Sequence, residues 1–279
     1  MRMPTMHDCA ASWRTAELKI IFDIKNKVAL VTGANRGIGK AIVEAFLDHG
    51  AARVYAAVRS LDSAAPLIER YSDRVLPVQL DLTKPETITA MAAIAGDAQV
   101  VVNSAAVFMA ATPLDVNAID ALELGMKINV VGLIRMAQTF APILKQNGGG
   151  AFVQLNSGAS LVCASNFATH SACKAAAYSV TLALHELLGQ QGTAVLSVHP
   201  GLIASDMGNS AGLAGSADSP SVVAEGIVSA LKAGDFLLFP DSTAKRVESA
   251  YRSFFESVVE AGIPEYKPKP ENHADPVEK

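Results

Sequence analysis

The sequence predicts one α/β domain built on a doubly wound, parallel sheet of seven strands. Short apolar runs alternate with segments of helical periodicity from residue 27 onward. The runs are continuously apolar, as in strands that helices cover on both faces. Half of the 279 residues are hydrophobic and only 18% are charged, so the chain can bury a large core. Neither a repeat nor a second boundary in composition indicates another domain.

The individual elements follow from these runs and from the residues that stop them. The predicted strands are residues 27–32, 53–58, 75–80, 99–103, 151–156, 194–199 and 236–239. The predicted helices are residues 40–49, 61–71, a helix opened by Pro85, then 119–146, 168–190, 221–231 and 240–262. Gly50 ends the first helix, and the run Gly148-Gly149-Gly150 ends the fourth. Residues 201–219 are rich in Gly, Ala and Ser, which predicts a mobile loop.

The two ends of the chain differ from the middle. Residues 1–26 have no clear period, so we expect an N-terminal extension before a domain of residues 27–262. Residues 264–279 contain four prolines and many charges. Such a composition predicts a flexible tail over residues 263–279.

Composition and charge exclude several classes of function. The formal net charge is −4 without any Lys/Arg run, so we expect no nucleic-acid partner. The three cysteines, Cys9, Cys163 and Cys173, are odd in number and lack metal-ligand spacing, which favours a reduced cytoplasmic setting and no metal site. No apolar run reaches the roughly 20 residues that a membrane span needs. The N-terminus also lacks the apolar core of a secretory signal.

A glycine-rich turn follows the first predicted strand. The turn reads Thr32-Gly33-Ala34-Asn35-Arg36-Gly37-Ile38-Gly39. Between a buried strand and a helix, Gly33 permits the tight turn, Gly37 lets the backbone approach a pyrophosphate, and Gly39 lets the helix pack closely. The helix N-terminus then presents N–H groups and the positive end of its dipole to phosphates. The turn predicts a dinucleotide site that includes Asn35, Arg36 and Ile38.

The spacing of these glycines resembles the short-chain dehydrogenase/reductase family, whose Rossmann-type fold it implies. Other motifs match the family in chain order over residues 25–240. The resemblance implies cofactor contacts from Asp81, Leu82, Asn103, Ala105, Lys174, Pro200, Gly201, Ile203, Ser205 and Met207. The run Asn103-Ser104-Ala105-Ala106 stands where the family has Asn-Asn-Ala-Gly, so two of its four residues are altered.

The second predicted strand bears on the choice of cofactor. It ends Ala57-Val58-Arg59-Ser60, without an acid where NAD binders hold the ribose 2′-hydroxyl. Arg36 and Arg59 can instead clamp a 2′-phosphate, a dianion that suits guanidinium groups. The alternative is that both arginines are solvated surface charges. We expect NADP(H).

The catalytic prediction depends on four positions. His170 and Lys174 lie at i and i+4 on one face of a predicted helix, thirteen residues after Ser157. In the family that the chain resembles, residues matching Ser157, Lys174 and Asn129 hold the substrate oxygen, hold the nicotinamide ribose and support a proton-relay water. Hydride passes between the carbonyl carbon and the nicotinamide. His170 occupies the position of the Tyr that transfers the proton.

The histidine at this position leaves three interpretations open. Its ring is shorter than that of Tyr, and its reference pKa is about 6.5 rather than about 10. The nearby ammonium of Lys174 favours the neutral imidazole, which is a weaker proton donor than imidazolium. His170 can replace Tyr directly or through a water, serve a non-redox reaction, or mark a degenerate site. Tyr178 cannot stand in, because no Lys follows it by four residues.

Together these features predict an NADP(H)-binding oxidoreductase of a small, fairly apolar carbonyl compound or alcohol. A non-redox lyase or isomerase on the same fold and a non-catalytic NADP-binding regulator are the alternatives. The substrate pocket is expected from the loops at residues 106–113, 161–166 and 201–219, whose residues are small or apolar. The resemblance also implies a homodimer or homotetramer built from the helices at residues 119–146 and 168–190.

Overall fold

The computed structural model describes residues 19–205 and 217–260. The strands are β1 (Val28–Thr32), β2 (Arg53–Val58), β3 (Val75–Gln79), β4 (Val100–Asn103), β5 (Ala151–Leu155), β6 (Ala194–Val198) and β7 (Leu237–Leu238). The α-helices are α1 (Gly37–Asp48), α2 (Ala65–Tyr71), α3 (Pro85–Ile94), α4 (Ala118–Met126), α5 (Gly132–Gln146), α6 (Ala168–Gly189), α7 (Pro220–Ala233) and α8 (Ser242–Phe254). These elements follow one another in the predicted order.

The seven strands form one parallel sheet in the order β3-β2-β1-β4-β5-β6-β7. The chain begins in the middle of the sheet, builds one half, and returns to build the other half from β4 onward. Leu30 of β1 pairs with Tyr55 on one side and with Val101 on the other. The predicted fold class, a doubly wound parallel α/β sheet of Rossmann type, is therefore confirmed. Ligands in such sheets bind at the carboxyl ends of the strands, where the winding reverses.

Helices cover both faces of the sheet, which explains why the strands are apolar on both sides. On the first face, Val31 belongs to a buried cluster with residues of α1 and α7, among them Phe46 and Ile227. On the second face, Leu30 belongs to a cluster with residues of α3, α5 and α6, among them Phe140. Successive strand residues point to opposite faces, so neighbours such as Leu30 and Val31 join different clusters.

The predicted helix at residues 119–146 differs in the structure from a single regular helix. It is divided into α4 and α5 by a π-helical segment, Lys127–Val131. Hydrophobic periodicity cannot show this difference, because one π turn shifts the pattern by only one residue. The segment carries Asn129, one of the four predicted catalytic positions. A π turn is often found at functional sites.

The residues just before β1 lie against the domain. Ile24 is 1% exposed and belongs to the core on the first face of the sheet. The amide of Phe22 donates to the carbonyl of Leu231 at 2.9 Å, and that of Asn26 donates to the carbonyl of Gly50 at 2.8 Å. Residues 20–26 are thus held by backbone hydrogen bonds although their sequence shows no clear period.

The described residues 19–205 and 217–247 belong to one compact unit that contains the whole sheet. The described residues 248–260 belong to a second unit and comprise the end of α8 and a π-helical segment, Phe255–Glu260. The predicted boundaries at residues 26 and 262 stay predictions. The predicted tail at residues 263–279 and most of the predicted loop at residues 201–219 lie outside the described residues. Within the described parts of the chain, no helix is long and apolar enough to cross a membrane.

Candidate active site at the carboxyl edge of the sheet

The glycine turn after β1 depends on two positive φ angles and on two close contacts that leave no room for a side chain. Gly33 has φ +67° and Gly37 has φ +53°, both in the left-handed region that favours glycine. A Cβ on Gly33 would lie 3.1 Å from Cα of Ala105, in the loop after β4. A Cβ on Gly39 would collide with the carbonyl of Gly33. The close packing at Gly39 is thus between α1 and its own preceding turn.

The N-terminus of α1 is open toward this turn. Arg36 precedes the helix in an extended conformation, and no side chain caps the helix. The first turn of α1 contains no acidic residue, so its N–H groups and dipole favour an anion. Asn35 and Arg36 are exposed, whereas Ile38 packs against the core on the first face of the sheet.

Thr32 links the glycine turn to the loop after β4. Its Oγ1 accepts hydrogen bonds from the amides of Ser104 and Ala105, both at 2.9 Å. Asn103, 3% exposed, donates from Nδ2 to Oε1 of Gln154 on β5 at 2.8 Å. The side chain of Asn103 is therefore held between strands, and Ala105 is the residue of this loop that lies against Gly33.

Two charged residues that were predicted to contact the cofactor, Arg59 and Asp81, follow the ends of β2 and β3. Arg59 is exposed. The Oδ1 of Asp81 accepts from Thr83 N at 2.9 Å and from Thr83 Oγ1 at 2.7 Å. These bonds, aided by the charges of Lys84 and Arg59, lower the pKa of Asp81 below its usual value. Leu82, in contrast, is 6% exposed and packs in the core.

Asn129 is fixed by a pair of hydrogen bonds to one residue. Its Oδ1 accepts from the amide of Val107 at 3.0 Å, and its Nδ2 donates to the carbonyl of Val107 at 3.0 Å. Asn129 therefore holds the loop after β4 against the π-helical segment. The amide is 5% exposed, which makes this pairing well shielded from water.

Lys174 is a buried cation at the centre of the site. Its side chain on α6 is 5% exposed, so the lysine is not a solvated surface charge. The Nζ donates to the carbonyl of Leu155 at 2.9 Å, two residues before Ser157. Burial lowers the pKa of Lys174 to about 8, although the neighbouring Cys173 opposes the shift.

His170 lies one helical turn before Lys174 and is 6% exposed. Its Nδ1 has no hydrogen-bond partner among the protein groups that the structure describes. The ring of Phe108 lies 4.8 Å from the imidazole, measured between centroids. Burial, reinforced by the charge of Lys174, lowers the pKa of His170 to about 3. The imidazole is therefore neutral at physiological pH and has an unpaired nitrogen.

Ser157 follows β5 in an extended conformation, with φ −171° and ψ 158°. Its Oγ accepts from the amide of Ala159 at 3.1 Å. The same Oγ donates to the carbonyl of Pro200 at 3.4 Å, a long and therefore weak bond. Its hydroxyl hydrogen is thus available to a better acceptor, such as the carbonyl oxygen of a substrate.

The turn after β6 closes the site on its other side. The amide of Gly201 donates to Oδ2 of Asp241 at 2.6 Å, and a Cβ on Gly201 would lie 2.6 Å from Oδ1 of the same carboxylate. Ile203 is 5% exposed and packs in the core. Ser205 lies next to the glycine turn, with its Cβ 3.4 Å from the position of a Cβ on Gly37. Met207 is outside the described residues.

The structure thus brings most of the predicted positions to one edge of the sheet. Sequence reasoning assigned no role to four side chains that hold this edge together: Thr32, Ser160, His199 and Asp241. A His next to Pro200-Gly201 was visible in the sequence, but its partners lie far away along the chain. Within the described residues, no group of three or more His, Cys, Asp or Glu side chains can hold a metal ion.

Comparisons with known proteins accord with this geometry. A family model described as short chain dehydrogenase matches residues 27–214. An NAD-dependent glycerol dehydrogenase of Listeria innocua is 31% identical over 196 residues, which cover 68% of this chain and 76% of that protein. An uncharacterized oxidoreductase of Staphylococcus aureus is 28% identical over 186 residues, which cover 64% and 79%. The crystal structure of a short chain dehydrogenase from Burkholderia cenocepacia in complex with NADP has a TM-score of 0.77 at 29% identity, and covers 84% of this chain and 98% of that one.

Proposed function

Because the chain belongs to the short-chain dehydrogenase family of oxidoreductases, we propose that it interconverts a small, fairly apolar carbonyl compound and its alcohol with NADP(H). One observation carries the proposal. A glycine turn suited to a dinucleotide lies at the same sheet edge as the half-buried Ser157 and the buried His170 and Lys174. The proposal places hydride transfer between the glycine turn and these three side chains.

The residues at the glycine turn fit a dinucleotide. Gly33 and Gly37 carry no side chain over the backbone of the turn, and α1 begins there without a side-chain cap. Both features suit a pyrophosphate, whose oxygens accept hydrogen bonds from backbone N–H groups. When bound, the nicotinamide supplies or accepts the hydride. The protein binds the phosphates and presents the substrate to that hydride.

The preference for NADP(H) is supported by charge at the end of β2. Arg59 is exposed there, and Arg36 is exposed in the neighbouring glycine turn. No acid stands at Ala57-Val58-Arg59-Ser60 to hold a ribose 2′-hydroxyl. The Burkholderia relative is described in complex with NADP, whereas the Listeria relative is described as NAD-dependent. The arginines are therefore the reason for proposing NADP(H).

The proposed proton chemistry follows from the charge states of the buried groups. In reduction, Ser157 donates its hydroxyl hydrogen bond to the substrate oxygen. His170, neutral because burial lowers its pKa to about 3, hydrogen-bonds the same oxygen. Lys174, with its pKa lowered to about 8, still carries a proton at neutral pH and supplies, through the imidazole of His170, the proton that the substrate oxygen gains in reduction. A neutral imidazole is a weak acid, so we expect slower reduction than a phenol would give at this position.

The proposed substrate is small and apolar because of the walls beside His170. Phe108 lies against the imidazole, and the rings of Phe108 and Phe167 meet edge to face with centroids 5.6 Å apart. Val162, in the loop after β5, is 58% exposed. These groups offer dispersion contacts and no charge, which disfavours a highly charged substrate.

We also propose that the protein is a homodimer or homotetramer. Several apolar side chains of the α4–α5 region are more than a third exposed, including Leu124, Val131 and Ile134. On α6, Leu187 is 60% exposed. Helices that are apolar on more than one face gain stability when a second subunit covers them. Light scattering at micromolar concentration is expected to give a multiple of 29.1 kDa, and a stable monomer would contradict the proposal.

A nicotinamide absorbance assay tests the proposed reaction. NADPH and NADH are each supplied with a panel of ketones and aldehydes, and glycerol is tried with the oxidised cofactors because of the Listeria relative. The expected result is cofactor oxidation with at least one carbonyl compound. Turnover should be lost in Lys174→Met and kept in Lys145→Met, since Lys145 is an exposed lysine on α5.

Two results would overturn the proposal. Tight nucleotide binding by calorimetry without turnover of any compound would indicate a non-catalytic binding protein. Consumption of a carbonyl compound without a change in nicotinamide absorbance would indicate a non-redox enzyme on the same fold.

A further inference from the structure

A buried histidine outside the four predicted catalytic positions contacts the backbone of Ser157. His199 is fully buried at the end of β6, between the ring of Tyr178, which meets it edge to face at 4.6 Å, and the ring of Phe239, which stacks on it at 5.1 Å. Its Nδ1 lies 3.0 Å from Oγ of Ser160 and 3.2 Å from the carbonyl oxygen of Ser157. Its Nε2 lies 2.8 Å from Oγ of Ser197.

The position of the Nδ1 proton follows from counting hydrogens. A peptide carbonyl can only accept, so the single hydroxyl hydrogen of Ser160 points to the carbonyl of Ser157, at 2.5 Å. Oγ of Ser160 must then accept from Nδ1 of His199. The carbonyl of Ser157 independently requires a donor at the same nitrogen. Nδ1 therefore carries the hydrogen.

On the opposite side of the ring, Nε2 accepts a hydrogen bond, so the imidazole accepts at Nε2 and donates at Nδ1. Burial lowers the pKa of His199 to about 4, so the ring is neutral and Nε2 carries no hydrogen. Nε2 then accepts from the hydroxyl of Ser197. Oγ of Ser197 in turn accepts from Nδ2 of Asn156 at 2.9 Å. Nδ1–H is shared between Oγ of Ser160 and the carbonyl of Ser157, and the chain of hydrogen bonds ends on that carbonyl.

We propose that His199 is a positioning residue for Ser157, acting through Ser160. Its Nδ1–H tautomer holds the Ser157–Ser160 turn, while the amide of Gly158 fixes the same turn by donating to the carbonyl of Pro200 at 2.8 Å. Ser157 is the residue whose hydroxyl is proposed to hold the substrate oxygen. This inference rests on the proposed function, since positioning of Ser157 matters for that reaction.

Four variants separate the two sides of the imidazole. His199→Gln places its amide near the Nε2 position, so it keeps the partner Ser197 and loses Ser160. His199→Asn places its amide near the Nδ1 position and has the opposite effect. Ser160→Ala removes the link to Ser157, whereas Ser197→Ala removes only the distant support. The four variants delete hydrogen bonds of similar burial. A loss of stability alone should therefore not separate the variants on the Nδ1 side from those on the Nε2 side.

We expect a loss of kcat only in the variants that remove the hydrogen bond at Nδ1 of His199. His199→Gln and Ser160→Ala should lower kcat roughly ten- to a hundredfold with KM little changed, because a small misplacement of a positioned group is costly. His199→Asn and Ser197→Ala should keep most of the wild-type kcat. Thermal unfolding of all four variants serves as the control. The inference would be overturned if the losses of kcat followed the losses of melting temperature and did not depend on whether the Nδ1 or the Nε2 partner was removed.

A second measurement does not depend on turnover. Long-range proton–nitrogen NMR of labelled protein reports which imidazole nitrogen of His199 is protonated. The expected spectrum shows protonated Nδ1 and bare Nε2 in the wild type, and exchange between tautomers in Ser160→Ala. Protonated Nε2 in the wild type would refute the inference, whether or not any compound of the panel is turned over. Absence of turnover with every compound would overturn only the proposed function.

Discussion

The two halves of the candidate site are built in opposite ways. At the cofactor half, the turn after β1 is formed by bare backbone, with positive φ at Gly33 and Gly37 and an open helix end. At the catalytic half, the working groups are side chains that are at least 94% buried, His170 and Lys174. The cofactor half depends on the absence of side chains at the turn and on the direction in which its backbone N–H groups point. The second depends on desolvation, which shifts the pKa of both side chains downward.

The comparison teaches which kind of change each half tolerates. A Cβ at Gly33 or Gly39 meets backbone, which cannot move aside. In the catalytic half, a neutral side chain of similar size meets fewer constraints, because the buried ammonium already carries a desolvation cost. The cofactor half should therefore fail by loss of stability and binding, and the catalytic half by loss of chemistry alone.

The largest effect is expected from His170→Tyr. The phenol would enter the position beside Ser157 and Lys174, with Phe108 shifting to make room, and would supply a better proton donor than a neutral imidazole. Carbonyl reduction should rise by about 10²–10⁴-fold, the usual contribution of a positioned general acid. The measurement is kcat/KM in the nicotinamide assay, with His170→Ala as control. Equal activity in the wild type and His170→Ala would show that His170 only fills space.

A change at Gly39 tests the cofactor half. Gly39→Ala puts a methyl group into the carbonyl of Gly33, so α1 must shift, and the free energy of unfolding should fall by about 3 kcal/mol. Nucleotide affinity should fall with it. Gly189→Ala is the matched control, since a Cβ at Gly189 of α6 has no neighbour within 4 Å. Denaturant unfolding and calorimetry decide the matter; equal stability of the two variants would contradict the packing argument.

Acid stability tests the catalytic half. Below about pH 6.5 histidines of the unfolded chain gain protons, whereas His170 and His199 stay neutral in the folded state until pH falls to about 3 and about 4. The unfolded state then binds more protons, so stability falls as pH drops. Each histidine should account for a loss of about 2–3 kcal/mol between about pH 7 and about pH 4.5.

The His170→Tyr variant isolates one of these two contributions, because a phenol does not titrate in this range. Urea unfolding at several pH values should show a shallower loss for the variant than for the wild type, by about 2–3 kcal/mol at about pH 4.5. Parallel curves would mean that His170 is not shielded from water as the structure shows.

The smallest effect is expected at the exposed end of β2. Arg59→Asp removes a guanidinium from the proposed 2′-phosphate site and adds a repelling charge. Affinity for NADPH should fall more than tenfold, which corresponds to about 1.5–3 kcal/mol, and affinity for NADH should rise. Calorimetry with both nucleotides is the test. Unchanged NADPH affinity would show that Arg59 only faces solvent, and Arg70→Asp, on α2, controls for a general effect of charge.

The sequence could predict what depends on neighbours along the chain. Seven apolar runs predicted the strands, because a strand covered on both faces needs an unbroken apolar run. The spacing of Gly33, Gly37 and Gly39 predicted the turn, because only glycine tolerates that backbone. The predicted bounds of strands and helices agreed with the observed ones within a few residues. The main difference was the π-helical segment Lys127–Val131 within the predicted helix at residues 119–146.

The tertiary structure decided what depends on residues distant in the chain. It placed the ammonium of Lys174 on the carbonyl of Leu155, set Phe108 against His170, and joined His199 to Ser160 and Ser157. A sequence names the titratable groups, but their pKa and hydrogen-bond partners depend on which distant segments exclude water from them. The backbone requirement of the glycine turn is local and could be read in advance, whereas desolvation at the catalytic side chains arises only when the sheet and α6 pack together.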